Sequence, residues 1–71
     1  MTAEEWIEEF CAQIGMPPPT EDETEAILRL AAIAAHASER TAAPVACWIA
    51  GGSGKPLAEL AAAAEGVSGG D

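Results

Sequence analysis

The chain has 71 residues and a formal net charge of −9, with twelve acidic residues against three basic ones, and nearly half its residues are apolar. A chain this short makes one domain at most and buries only about 60% of its unfolded surface, which leaves no room for an enzyme-sized internal cavity. The charge is uneven: residues 1–30 hold eight acids against Arg29 alone, a field that repels phosphate backbones and anionic lipid heads. Direct binding to nucleic acid or to a membrane surface is therefore not expected, whereas a basic protein surface would be attracted. A solvated acidic face that serves only solubility is the plainer reading of the same charges.

No stretch alternates as a strand would, β-branched residues are few and there is no Tyr; four short helices in one compact, all-α bundle are predicted over residues 1–66. Thr2 and Glu5 have capping-box spacing, and acids crowd the first turn, where the helix dipole favours them. Trp6, Ile7, Phe10, Cys11 and Ile14 then recur on one face, with Glu4, Glu5, Glu8 and Glu9 on the other. Gly15 ends this first helix, and Pro17, Pro18 and Pro19 prevent its continuation.

Thr20 and Glu23 repeat the capping-box spacing and open a second helix, roughly 21–38, with Ile27, Leu30, Ala31 and Ala34 as its stripe. Pro44 suits the first position of a third helix over about 44–50. That segment, from Val45 to Ala50, is apolar all round and is expected to be the central element. Gly51-Gly52-Ser53-Gly54 reads as a flexible link, Pro56 opens a fourth helix to about Ala64, and residues 67–71 read as a disordered tail. Trp6, Phe10, Ile14, Leu30, Ile33, Trp48 and Ile49 are expected to share one core.

Two cysteines, Cys11 and Cys47, are too sparse for a disulfide framework. The N-terminus is acidic where a signal peptide would be basic, and the longest apolar run, Ala42 to Ala50, falls well short of the roughly 20 residues that cross a bilayer. A cytoplasmic protein with reduced thiols is expected.

Candidate chemistry is thin. Gly51-Gly52-Ser53-Gly54-Lys55 suggests a phosphate loop, but Ile49 stands where the first Gly is needed and Pro56 where Ser or Thr must follow the Lys. Cys11, His36 and Cys47 lack the paired short spacing of a zinc site, and the mostly negative surroundings offer nothing that would activate a thiol as a nucleophile. Neither catalysis nor a metal or other cofactor is expected.

The densest polar feature is His36-Ala37-Ser38-Glu39-Arg40-Thr41-Ala42-Ala43-Pro44. His36 and Glu39 can face each other three residues apart, and both His36 and Arg40 stand where a helix end needs donors. In one reading Arg40 ties the corner between two helices. In the other, His36, Glu39, Arg40, Pro44 and Trp48 form a recognition patch beside the apolar third helix.

With its Trp-bearing acidic first helix, proline break, His36-x-x-Glu39-Arg40-x-Ala42-Ala43-Pro44 motif, apolar helix and Gly51, the chain resembles a small actinobacterial family of unknown function. That domain occurs alone or fused to molybdenum cofactor guanylyltransferases. The resemblance covers roughly residues 3–52, and the chain from Ser53 onward departs from it. It implies a context of molybdenum-cofactor maturation or molybdoenzymes, reached through contact with a protein partner, and it carries no catalytic residues. The first expectation is thus a non-catalytic accessory module that docks on a larger protein with a basic surface. The alternative is a small-ligand carrier with an apolar pocket between the first and third helices, lined by Trp6, Phe10 and Trp48.

Overall fold

The computed structural model describes residues 1–67, and these form four α-helices in chain order: α1 (Ala3–Ile14), α2 (Glu21–Ala37), α3 (Ala42–Ser53) and α4 (Leu57–Glu65), with no strand among the described residues. The all-α expectation is met. The expected disorder of residues 67–71 falls, beyond Val67, outside the described residues.

Both capping boxes form. The Thr2 N–H donates to Glu5 Oε1 at 2.8 Å while Glu5 N–H donates to Thr2 Oγ1 at 3.1 Å, and Thr20 and Glu23 repeat the pair at the same distances. Each box satisfies amides that the first turn would otherwise leave unpaired. Gly15 then adopts φ +74°, and the Met16 N–H donates back to the Cys11 carbonyl at 2.9 Å, which closes α1.

The boundaries of α3 differ from expectation at both ends. It begins at Ala42, so Pro44 occupies the third helical position rather than the first. The ring is tolerated there because the first four N–H groups of a helix have no intrahelical acceptor. Thr41 gives no side-chain cap; instead Ala42 and Ala43 donate to the carbonyls of Glu39 and Arg40 in a tight turn. At the far end the helix runs through Gly51, Gly52 and Ser53, which are not a flexible link. The chain turns only at Gly54, whose φ of +72° is what stops a helix. Ser53 Oγ secures the stop, donating to the Ala50 carbonyl at 2.7 Å and accepting from the Lys55 N–H at 3.2 Å.

The central helix is α2, not α3. Both α3 and α4 pack along α2, and α1 packs only slightly against the rest. Small residues explain the choice: Ala31, Ala34 and Ala35 are half-buried on α2 and allow two helices to approach. Leu30 lies buried on the same helix, and the Cys47 Sγ on α3 faces the Ile27 carbonyl at 4.0 Å. With three helices in a row and α1 aside, no layer covers the outer surfaces. The expected common core consequently does not form. Among the described residues Cys11 and Leu30 are the buried ones, while Trp6 is 56% exposed, Phe10 47% and Trp48 82%, with Ile14 and Ile49 also exposed. Leu30 and Ile33 alone of the expected set lie on the inward side of α2.

Candidate functional site

The corner between α2 and α3 brings the sequence motif to the surface. His36 lies in the last turn of α2, Ser38 closes the helix by donating its N–H to the Ala34 carbonyl at 3.2 Å, and Glu39, Arg40 and Thr41 make the turn. Thr41 Oγ1 donates to Glu39 Oε2 at 3.4 Å. His36, Glu39, Arg40, Pro44 and Trp48 are all exposed.

The reading in which Arg40 ties the corner is not what the side chains do. Among the described residues the Arg40 guanidinium and the His36 imidazole have no hydrogen-bond or ion-pair partner, and His36 does not meet Glu39. The corner is held by backbone bonds from Ala42 and Ala43, so the basic side chains are left to the solvent. The ion pair that does span helices is elsewhere: Arg29 on α2 to Glu65 on α4, 2.8 Å apart. The two lie 36 positions apart, and no local pattern signals the pair.

Pro44, Val45 and Trp48 share the outward face of α3 at i, i+1 and i+4, with Ile49 at its edge. This face is directed away from α2, and Trp48 is the most exposed large side chain on it. The stretch from Ala42 to Gly54 carries no acid or base, in a chain of net charge −9. An apolar strip headed by a guanidinium that has no partner among the described residues is suited to protein recognition: Trp and Arg are the residue types most often found at interface hot spots.

Among the described residues, Trp6, Phe10 and Trp48 do not come together in the pocket expected between α1 and α3. Trp6 and Phe10 stack on each other along α1, with ring centroids 5.2 Å apart and planes 21° apart. Their shallow depression is completed by Glu9, Ala12 and Gln13, with no part of α3. An apolar groove of about 490 Å³ lies instead between α3 and α4, with α2 as its floor. Leu30, Ile33 and Ala37 line the floor, Ile49 the α3 wall, and Leu60 and Ala64 the α4 wall. Sequence periodicity marked these positions as apolar but gave no sign that they would line an open channel.

Titratable groups do not converge. Among the described residues no three His, Cys, Asp or Glu side chains are placed to hold a metal ion. Both thiols are free, Cys11 buried and Cys47 half-buried. Glu5 titrates below the ordinary carboxylate range because the Thr2 N–H donates to its carboxylate and the Thr2 hydroxyl adds to the effect, outweighing a small cost of desolvation. Among the described residues no helix is long and apolar enough to cross a membrane.

A protein family described as Domain of unknown function (DUF6457) matches residues 1–69. The chain belongs to this family. The match runs well past Ser53, so the Gly54 turn and α4 are part of the domain and not a departure from it. No curated protein and no solved structure matches the chain.

Proposed function

We propose that this member of the DUF6457 family is a non-catalytic interaction module that docks on a larger protein through the outward face of α3 and the corner before it. His36, Glu39, Arg40, Pro44 and Trp48 would form the contact. The observation that carries this reading is the 82% exposure of Trp48 on an uncharged face, since a solvated indole costs free energy unless a partner covers it. Arg40, unpaired among the described residues, would supply the charged hydrogen bond that fixes orientation.

The acids of residues 1–30 would steer a partner with a basic surface and disfavour nucleic acid. The resemblance carried by the His36–Pro44 motif suggests that the partner belongs to molybdenum-cofactor maturation or is a molybdoenzyme, and the two sparse cysteines and acidic N-terminal segment suit a cytoplasmic setting. Tagged wild type and Trp48→Glu, purified from the native host and compared by mass spectrometry, test this. Molybdenum-cofactor proteins held by wild type and lost by Trp48→Glu are expected. The same captured set with both, or one free of such proteins, would count against the docking face or the pathway respectively.

The apolar groove favours a second reading, a carrier of a small apolar ligand, because about 490 Å³ falls in the range of ligand pockets. Retention of such a ligand through purification of wild type, and its loss from Ala50→Glu, would favour that reading.

A further inference from the structure

Besides the outward face of α3, two apolar surfaces have no partner among the described residues, and they are complementary. One is the α1 stripe of Trp6, Phe10 and Ile14, all exposed to about half. The other is the groove over α2, whose walls are mostly small: Ala46 and Ala50 on α3, Ala63 and Ala64 on α4. We infer that the chain forms a symmetric dimer in which α1 of each copy lies in the groove of the other, Phe10 seated over Leu30 and Ile33.

Size supports this occupant. A helix with its side chains is about 10 Å across, and neighbouring helices pack about 8–10 Å apart, so a groove between two helices flanking a third takes one more helix. At about 1.5 Å per residue the stripe from Trp6 to Ile14 spans about 12 Å, and the α3 wall from Ala42 to Ser53 about 16 Å. Bulky side chains on the inserting helix meet alanines in the walls.

Charge supports it too. Among the described residues Lys55 is the one charged side chain lining the groove, and no acid lines it, in a chain of net charge −9. An incoming helix that suits it is apolar on one side and acidic on the other. That is α1, with Glu4, Glu5, Glu8 and Glu9 opposite its stripe.

The connection explains why α1 does not fill its own groove. No α1 residue lines it, and α1 is set aside by Gly15 in the left-handed conformation followed by three prolines, a stiff extended link. Exchange between two copies closes both surfaces with two-fold symmetry. The half-exposed Trp6, Phe10 and Ile14 contribute about 100 Å² each and the groove they cover a smaller area, so two reciprocal insertions bury on the order of 1,000 Å² in total, the size of a weak interface. A dimer that dissociates in the micromolar range is expected. The inference does not depend on the docking function proposed above, because Trp48 lies outside the groove.

Light scattering and sedimentation of the full chain from about 1 µM to about 1 mM test it. Wild type should move from 7.2 kDa to twice that mass. Phe10→Glu on the stripe and Ala50→Glu on the groove wall should each raise the dissociation constant at least 30-fold, about the effect of losing one hot spot. Trp48→Glu should leave it unchanged. A mixture of Phe10→Glu and Ala50→Glu retains one intact stripe and one intact groove, and should form a heterodimer tighter than either variant alone. Far-UV circular dichroism checks that each variant stays helical, with Phe10→Ser and Ala50→Ser in reserve. A monomer throughout the range, with or without uptake of an apolar dye by its groove, overturns the inference. So does a dimer indifferent to Phe10→Glu, or one broken by Trp48→Glu.

Discussion

Arg29 on α2 and Glu65 on α4 meet at 2.8 Å, the one ion pair among the described residues that joins two helices. Their side chains are 67% and 52% exposed, so solvent screens the attraction. A double-mutant cycle of Arg29→Ala and Glu65→Ala should give a coupling of about 0.2–1 kcal/mol that shrinks as salt is raised. Urea melts at low and high ionic strength measure it, and a coupling above 2 kcal/mol would show that α4 depends on this pair far more than its exposure allows.

The Glu5 carboxylate accepts the Thr2 N–H, and its folded-state pKa is lowered. A lowered carboxylate pKa gives stability that is present above the unfolded-state value and lost as pH falls through the folded one. Glu5→Gln keeps the acceptor but not the charge. Wild type should therefore exceed Glu5→Gln in α1 helicity near neutral pH, and the two should converge once the pH drops below the carboxylate range. Circular dichroism from neutral to acid pH reads the difference, and parallel curves would contradict the assignment.

The two capping threonines should differ in consequence although their geometry is the same. Thr20 caps the central helix, so Thr20→Ala should cost about 1 kcal/mol in global stability. Thr2 caps a helix that packs only slightly on the others, so in dilute monomer Thr2→Ala should fray α1 and barely move the main melting transition. Equal shifts in Tm would mean that α1 is packed more firmly than it appears in this fold.

Glycine substitutions separate the helix from its end. Gly51 and Gly52 are helical, with nothing within 4 Å of an added Cβ, so Gly51→Ala and Gly52→Ala should each stabilise by about 0.5–1 kcal/mol. Gly54 has equal space but a φ of +72°, and Gly54→Ala should destabilise by about 1 kcal/mol. Stabilisation at Gly54 by alanine, read from thermal melts, would restore the flexible-link interpretation.

Burial and exposure make a further contrast. Leu30 is among the few buried side chains, and Leu30→Ala should cost about 2–5 kcal/mol, enough to unfold a chain of this size. Trp48→Ala and Arg40→Ala remove groups with little packing and no partner among the described residues. Each should change stability by less than about 0.5 kcal/mol. A Tm loss of many degrees in Arg40→Ala would return Arg40 to the role of tying the corner.

Four helices were legible because their signals are local. A Thr three residues before a Glu, a Gly before prolines and a run of alanines act within one or two turns of chain. At the His36–Pro44 corner the sequence left two readings open, a tie through Arg40 or a recognition patch, because spacing does not encode which partner a long side chain reaches. What periodicity cannot distinguish is a stripe that meets another helix from one that meets solvent, and so Trp6, Phe10 and Trp48 read as core. The Arg29–Glu65 pair and the groove both depend on how α4 docks against α2, which no short spacing encodes. At Gly51 and Gly52 composition suggested a link, while the backbone needed a positive φ only at Gly54.

The thin contact between α1 and the other helices divides the molecule by how often each part opens. Amides of α1 are tied mainly to their own turns, so in dilute solution they should trade hydrogen for deuterium through local opening, long before the chain as a whole unfolds. Amides around Leu30 on α2 wait for the global event. A protease would meet the same hierarchy, finding its first productive site near Gly15 and Met16 and leaving a three-helix remainder of α2, α3 and α4.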